Sequence, residues 1–87
     1  MLAKFENGNL LEVLIETEKG DELYCYAVWD ENGDDIIDNG WTEYVELYPS
    51  SVNWIDYVLD VCEPEGVNGK YELLDFKDID EYFDSLK

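Results

Sequence analysis

Histidine and arginine are absent and cysteine occurs only twice, so most catalytic and metal-binding chemistries have no material to work with. Ser/His/Asp and Cys/His nucleophilic systems cannot be assembled, nor can a zinc site of ordinary composition. No glycine-rich phosphate loop occurs, because every glycine sits in a turn context. No apolar run approaches the roughly 20 residues that cross a bilayer. The start, Met1-Leu2-Ala3-Lys4-Phe5-Glu6, lacks the apolar stretch of a signal peptide, so a cytoplasmic protein is expected. Paired carboxylates could do acid–base work, but local sequence singles out no pair among the 23 acids. An enzyme is therefore not expected, nor is any cofactor or metal.

What is present is acid. Five lysines face 23 aspartates and glutamates, giving a net charge of −18 over 87 residues. Solubility alone asks for a magnitude of about 2–8 in a small domain, with both signs interspersed. Such a surface repels nucleic acid and anionic membranes, and it lacks the basic patch that direct nucleic-acid binding needs. The expected counterpart is positively charged: a basic protein surface, such as a groove built for nucleic acid or a basic toxin, or cations in the medium. Adaptation to high salt is the competing explanation of the acidity. Apolar residues still make up 46% of the chain, enough for one core, and the length suits a single domain over residues 1–87.

Turn signals divide the chain. Asn-Gly recurs at Asn7-Gly8, Asn32-Gly33, Asn39-Gly40 and Asn68-Gly69, with Lys19-Gly20-Asp21 as a further turn. Asn-Gly suits a type I′ turn, and the spacing predicts a meander of short antiparallel strands. The strands are expected at Leu2–Glu6, Leu10–Thr17 and Glu22–Asp30. A fourth, Asp35–Asp38 continuing as Trp41–Tyr48, is expected to be bulged at Asn39-Gly40. Alternation in the second strand points Leu11, Val13 and Ile15 inward and Glu12 and Glu16 to water. In the third, Leu23, Cys25, Ala27 and Trp29 share one face, and Glu22, Tyr24, Tyr26 and Val28 the other.

The period then becomes helical. Pro49-Ser50 opens a helix with Ser50 as the expected N-cap, and Val52, Ile55, Leu59 and Cys62 form its apolar stripe. Asn53, Asp56, Asp60 and Glu63 line its polar face, and Pro64 and Gly66 end it. A strand at Lys70–Leu74 and a last helix from near Asp75 follow. In that helix Phe76, Ile79, Phe83 and Leu86 face inward, Asp78, Glu81 and Asp84 outward, and Asp75 or Asp78 caps the start. The expected class is α+β, a small antiparallel sheet of four to five strands with two helices, in the order ββββαβα. Cys25 and Cys62, beside Tyr24, Tyr26 and Val61, read as two buried reduced thiols in preference to a disulfide.

Asp30-Glu31-Asn32-Gly33-Asp34-Asp35-Ile36-Ile37-Asp38 places oxygen side chains as in the start of an EF-hand calcium loop. However, Asp35 replaces the turn glycine, Trp41 replaces the bidentate glutamate, and a strand precedes the loop where a helix belongs. An acidic hairpin is the simpler reading, with weak cation binding as an alternative.

Carboxylates one helical turn apart, as at Asp56/Asp60 and Asp80/Asp84, stand ~6 Å apart along the axis. Asp78, Glu81 and Asp84 continue that ladder. A DNA strand carries one charge per ~3.4 Å of axis, so two adjacent protein rows approach its density. The expected contact residues are Asp30, Glu31, Asp34, Asp35 and Asp38 of the hairpin, Asp56, Asp60 and Glu63 of the first helix, and Asp78, Glu81 and Asp84 of the second. Trp29, Trp41, Tyr44, Tyr48, Trp54, Tyr57 and Tyr82 exceed what one sheet and two helices hide, so some are expected at the surface as binding anchors.

In these features the chain resembles the small acidic DNA-mimic inhibitors of phages and mobile elements, the anti-CRISPR and anti-restriction proteins. The resemblance implies an inhibitor that occupies the nucleic-acid channel of a Cas effector or other defence nuclease. An immunity protein or antitoxin that neutralises a basic toxin is the alternative.

Self-repulsion at this charge density yields a first prediction. Raising salt from low to moderate concentration should raise the Tm measured by circular dichroism, because screening relieves like-charge repulsion.

Overall fold

The computed structural model describes residues 1–18, 21–36, 45–46 and 53–87. The chain runs β1 (Leu2–Phe5), β2 (Leu10–Glu18), β3 (Asp21–Trp29), β4 (Val45–Glu46), α1 (Trp54–Val61), β5 (Tyr71–Leu74) and α2 (Ile79–Ser85). The class is α+β, an antiparallel sheet with two helices, as the sequence suggested. The sheet order is β4-β3-β2-β1-β5, with the β2–β3 hairpin paired from Leu10↔Trp29 to Glu18↔Asp21. Because β4 and β5 occupy opposite edges, the segment containing α1 carries the chain from one edge to the other.

The sheet is covered on both faces. On one, Ala3, Phe5, Leu11, Val13, Tyr24 and Val28 bury against Ile55 and Val58 of α1 and against Val67. On the other, Leu2 and Leu10 bury against Ile79 and Tyr82 of α2, with Trp29, Leu74, Phe76 and Phe83 around them. The alternation expected for β3 is present: Tyr24, Tyr26 and Val28 contact the α1 side, Trp29 the α2 side. Glu12 corrects the simple in–out rule. Expected in water, it is 1% exposed, because alternation sends it under α2 and not into solvent.

Fourth-strand expectations are met only in part. Asp35 makes an isolated bridge to Trp29, and Val45–Glu46 pairs with Leu23 and Tyr24. Asp38 and Asn39-Gly40 lie outside the described residues, as does most of Trp41–Tyr48.

Helix α1 starts later than expected. Asn53, assigned above to its polar face, is the N-cap: its side-chain oxygen accepts from the Ile55 and Asp56 backbone N–H groups at 2.9 and 3.3 Å. Ser50 and Val52 lie outside the described residues. Within the helix Ile55 and Val58 are buried, while Leu59 and Cys62 are half-buried. Glu63 is past the helix, at φ 47, the left-handed conformation that follows many helix ends. Helix α2 starts at Ile79, with Asp78 accepting from the Glu81 N–H at 2.9 Å and Glu81 reaching back to the Lys77 N–H at 3.0 Å. That exchange is a variant of the capping box. Leu86, expected inside, is 63% exposed because the helix ends before it.

No disulfide joins Cys25 and Cys62. Cys62 lies 3.3 Å from the Tyr24 hydroxyl, on the α1 side, while Cys25 neighbours Tyr24 in β3 and so faces the other side. The sheet separates the two thiols.

Removing the α1 cap should be measurable. Asn53→Ala is expected to cost about 1 kcal/mol, lowering Tm by about 4–8 °C in a thermal melt.

Candidate interaction surface

Three chain connections meet at one end of the sheet. The first two share a local sequence, Glu-Asn-Gly, at Glu6–Gly8 and Glu31–Gly33. They also share a hydrogen-bond pattern. Gly8 N–H donates to the Phe5 carbonyl at 3.0 Å and Phe5 N–H to the Asn9 carbonyl at 2.9 Å. Gly33 N–H likewise donates to Asp30 at 3.0 Å, and Asp30 N–H to Asp34 at 2.9 Å. Gly8 and Gly33 have φ of 92° and 86°, whereas neither Asn7 nor Asn32 has a positive φ. These are three-residue loops closed by a glycine bulge, not the type I′ turns that Asn-Gly suggested. In the second loop the Asp30 carboxylate also accepts from the Asn32 and Asp34 N–H groups at 2.8 and 2.9 Å.

The third connection, residues 63–69, is tied to the first. Asn7 and Asn9 both donate side-chain N–H to the Gly66 carbonyl at 2.8 Å. Close contacts join the rest: a Cβ at Gly8 would stand 3.2 Å from the Glu31 carboxylate, and one at Gly66 would stand 3.1 Å from Ile36. A Cβ at Gly33 would meet the Phe83 ring of α2 at 3.2 Å.

The three connections themselves carry charge of one sign. Residues 6–9, 30–36 and 63–69 contain no lysine, and Glu6, Glu31, Asp34, Asp35, Glu63 and Glu65 are exposed there. Lys4 and Lys70 flank the group on the β1–β5 edge. Both helices also end toward this pole. Helix α1 runs directly into Glu63, and the last turn of α2 holds Phe83 against Gly33. Neither last turn contains a basic residue. Each helix C-terminus thus adds a partial negative charge of roughly −0.5 to the same region.

Of the residues expected to bind, Asp30, Glu31, Asp34, Asp35 and Glu63 are gathered here. Asp38 lies outside the described residues. Asp56 and Asp60 are exposed on α1, while Glu81 and Asp84 are exposed on α2 and Asp78 is half-exposed. These two groups sit on opposite sides of the sheet, separated by it and by helices about 10 Å in diameter. They do not form adjacent rows. Besides the capping bonds of Asp78 and Glu81, two of these acids have side-chain partners. The Tyr71 hydroxyl donates to Asp56, and desolvation followed by that carboxylate pushes the phenol up to about 12. Asp84 pairs with Lys87 at 3.2 Å on the surface, where such a pair contributes little.

Glu6 and Glu65 belong to the pole but were not singled out from sequence. The repeated Glu-Asn-Gly loop was the signal for Glu6. For Glu65 the signal lies only in long-range contacts through Gly66. Among the described residues no three His, Cys, Asp or Glu side chains converge on a metal position. Trp29, Trp54 and Tyr57 are half-buried and Tyr82 is buried, so none of these is a fully exposed anchor.

The loop–helix contact can be tested directly. Gly33→Ala should destabilise by about 1–2 kcal/mol in urea denaturation, because alanine is strained at positive φ and its methyl presses on Phe83. In a Phe83→Leu background the loss should shrink. No family model, curated protein or solved structure matches the chain, so its function is argued from this surface.

Proposed function

We propose that this chain is a protein-binding inhibitor that sets its acidic loop end against a basic, nucleic-acid-binding surface, acting as a nucleic-acid mimic inside the cytoplasm. One observation carries the reading: three connections without a basic residue converge with two helix C-termini at one pole. The excess over what solubility requires supports it, since −18 lies far beyond about 2–8 in magnitude. Presentation is end-on. A concave basic channel receives the tips of the loops, while the flanking helix acids contribute longer-range attraction. Steering of this kind raises association rates by about 10–10³ and weakens with ionic strength. Among the described residues no helix is long and apolar enough to cross a membrane. Defence nucleases such as Cas effectors and restriction enzymes present the required kind of groove; a basic toxin would present a similar charge.

The test is competition. Titrated into complexes of such nucleases with labelled DNA, the protein should displace the DNA from its target, and less readily as salt rises. Glu31→Gln/Asp35→Asn/Glu65→Gln should slow association with that target at least tenfold. Asp60→Asn/Asp75→Asn/Asp80→Asn removes the same charge elsewhere and should slow it less. Equal effects of the two sets would refute the polar placement. Undisturbed DNA on every candidate, together with tight binding to a toxin that lacks nucleic acid, would refute the mimic reading.

A further inference from the structure

We propose that Glu12 is a pH-sensitive latch for α2: neutral, it lets the helix dock on the sheet; ionised, it loosens the helix while the sheet stays folded. Glu12 is 1% exposed, in the middle of β2, opposite Leu2 of β1 and Ala27 of β3. Its carboxylate accepts from the Trp29 indole N–H at 3.2 Å. Beside it opens a cleft of about 280 Å3, lined by Glu12, Leu14, Trp29, Asp78, Ile79 and Asp80. The cleft gives water and protons a route to a carboxyl that packing otherwise encloses.

The groups around Glu12 set the direction. From α2 it is faced by Asp78, Asp80 and, deeper in the core, Tyr82. From β1 the Met1 ammonium lies near, bonded to the Val13 carbonyl at 3.0 Å, and Lys4 stands further along the same face, exposed. From β3 come Trp29 and the Cys25 thiol, and β2 itself offers Leu10 and Leu14. No lysine pairs with Glu12 among the described residues. Burial pushes its carboxyl above the ordinary value of 4.5. The Ile79 amide and Trp29 indole pull it back, Asp78 pushes it further up, and the terminal ammonium pulls it down. The sign follows from the raised folded-state value. Docking is fully supported below pH 4.5, weakens as pH rises through the folded-state pKa, and stays constant above it.

Helix α2 is the element able to respond. It has seven residues, too few to hold a helix in water, and it docks through Ile79 and Tyr82 with Phe76 and Phe83 beside them. Opening it uncovers Leu2 and Leu10 and parts Phe83 from Gly33 but breaks none of the β2–β3 pairs and none of the contacts on the α1 side, the pattern of a local opening.

Amide exchange measured by NMR from pH 4.5 to 8, corrected for intrinsic rates, tests this. Protection of Tyr82–Ser85 should fall through one transition as pH rises, while β2 and β3 amides keep theirs. The Trp29 indole N–H should shift with the same midpoint. Glu12→Gln should hold α2 protected across the range, and Asp78→Asn, which keeps a capping side chain, should move the midpoint down. Constant α2 protection in the native sequence, or a fall that persists in Glu12→Gln, would overturn the proposal. Should Glu12→Gln fail to fold, the 13C titration of the Glu12 carboxyl in the native protein decides: a midpoint at or below 4.5 also overturns it.

Discussion

Double burial of β2 is the constraint from which the rest of the molecule follows. Leu11 and Val13 pack toward α1, while Leu10 and Glu12 pack toward α2, so the strand has no wet face in its first half. A sheet covered on both sides needs a helix on each. The short chain therefore puts α1 on the crossover to the far edge and folds its C-terminal segment back as α2. With both faces occupied, charge is displaced to the outer helix faces and to the ends of the sheet. The dense acid of the loop pole is one consequence, and the carboxylate beneath α2 is another.

Local pattern revealed much of this, and its failures share a cause. The antiparallel strands, the two helices, the division of β3 into two faces and the Asp78 cap all depend on nearest neighbours in sequence. The misplacement of Glu12 did not come from a wrong period: alternation placed it correctly on the face opposite Leu11. What alternation cannot say is whether that face meets water or a helix 66 residues away in the chain, at Asp78. The late start of α1 has a similar origin. Asn53 and Ser50 are comparable caps by type, and only the tertiary position of Ile55, fully buried, fixes which turn comes first.

The contact residues were legible one element at a time but not as a set. Carboxylates spaced for a helical ladder were correctly located on α1 and α2, yet the sheet parts the two ladders. Conversely, Glu6, Glu31 and Glu65 are distant in sequence and share one end of the sheet, where Asn7 and Asn9 bond the Gly66 carbonyl and Gly8 lies against Glu31. Topology, not spacing, assembles this surface. The same two asparagines that close the turn also align the acidic loops, which ties the stability of that end to its charge.

The described lysines stand around the acidic loops and not within them. Lys4 and Lys70 flank Glu6, Lys77 precedes α2, and Lys87 follows the α2 end that lies toward the pole. The loops at 6–9 and 30–36 and the connection at 63–69 have none, and Gly8 of the first lies against the Glu31 carboxylate of the second. Repulsion there works against folding, and the two helix C-termini add to it. A basic partner would relieve both terms on binding and turn a folding penalty into affinity. Under the proposed function, the least comfortable end of the molecule is its binding end.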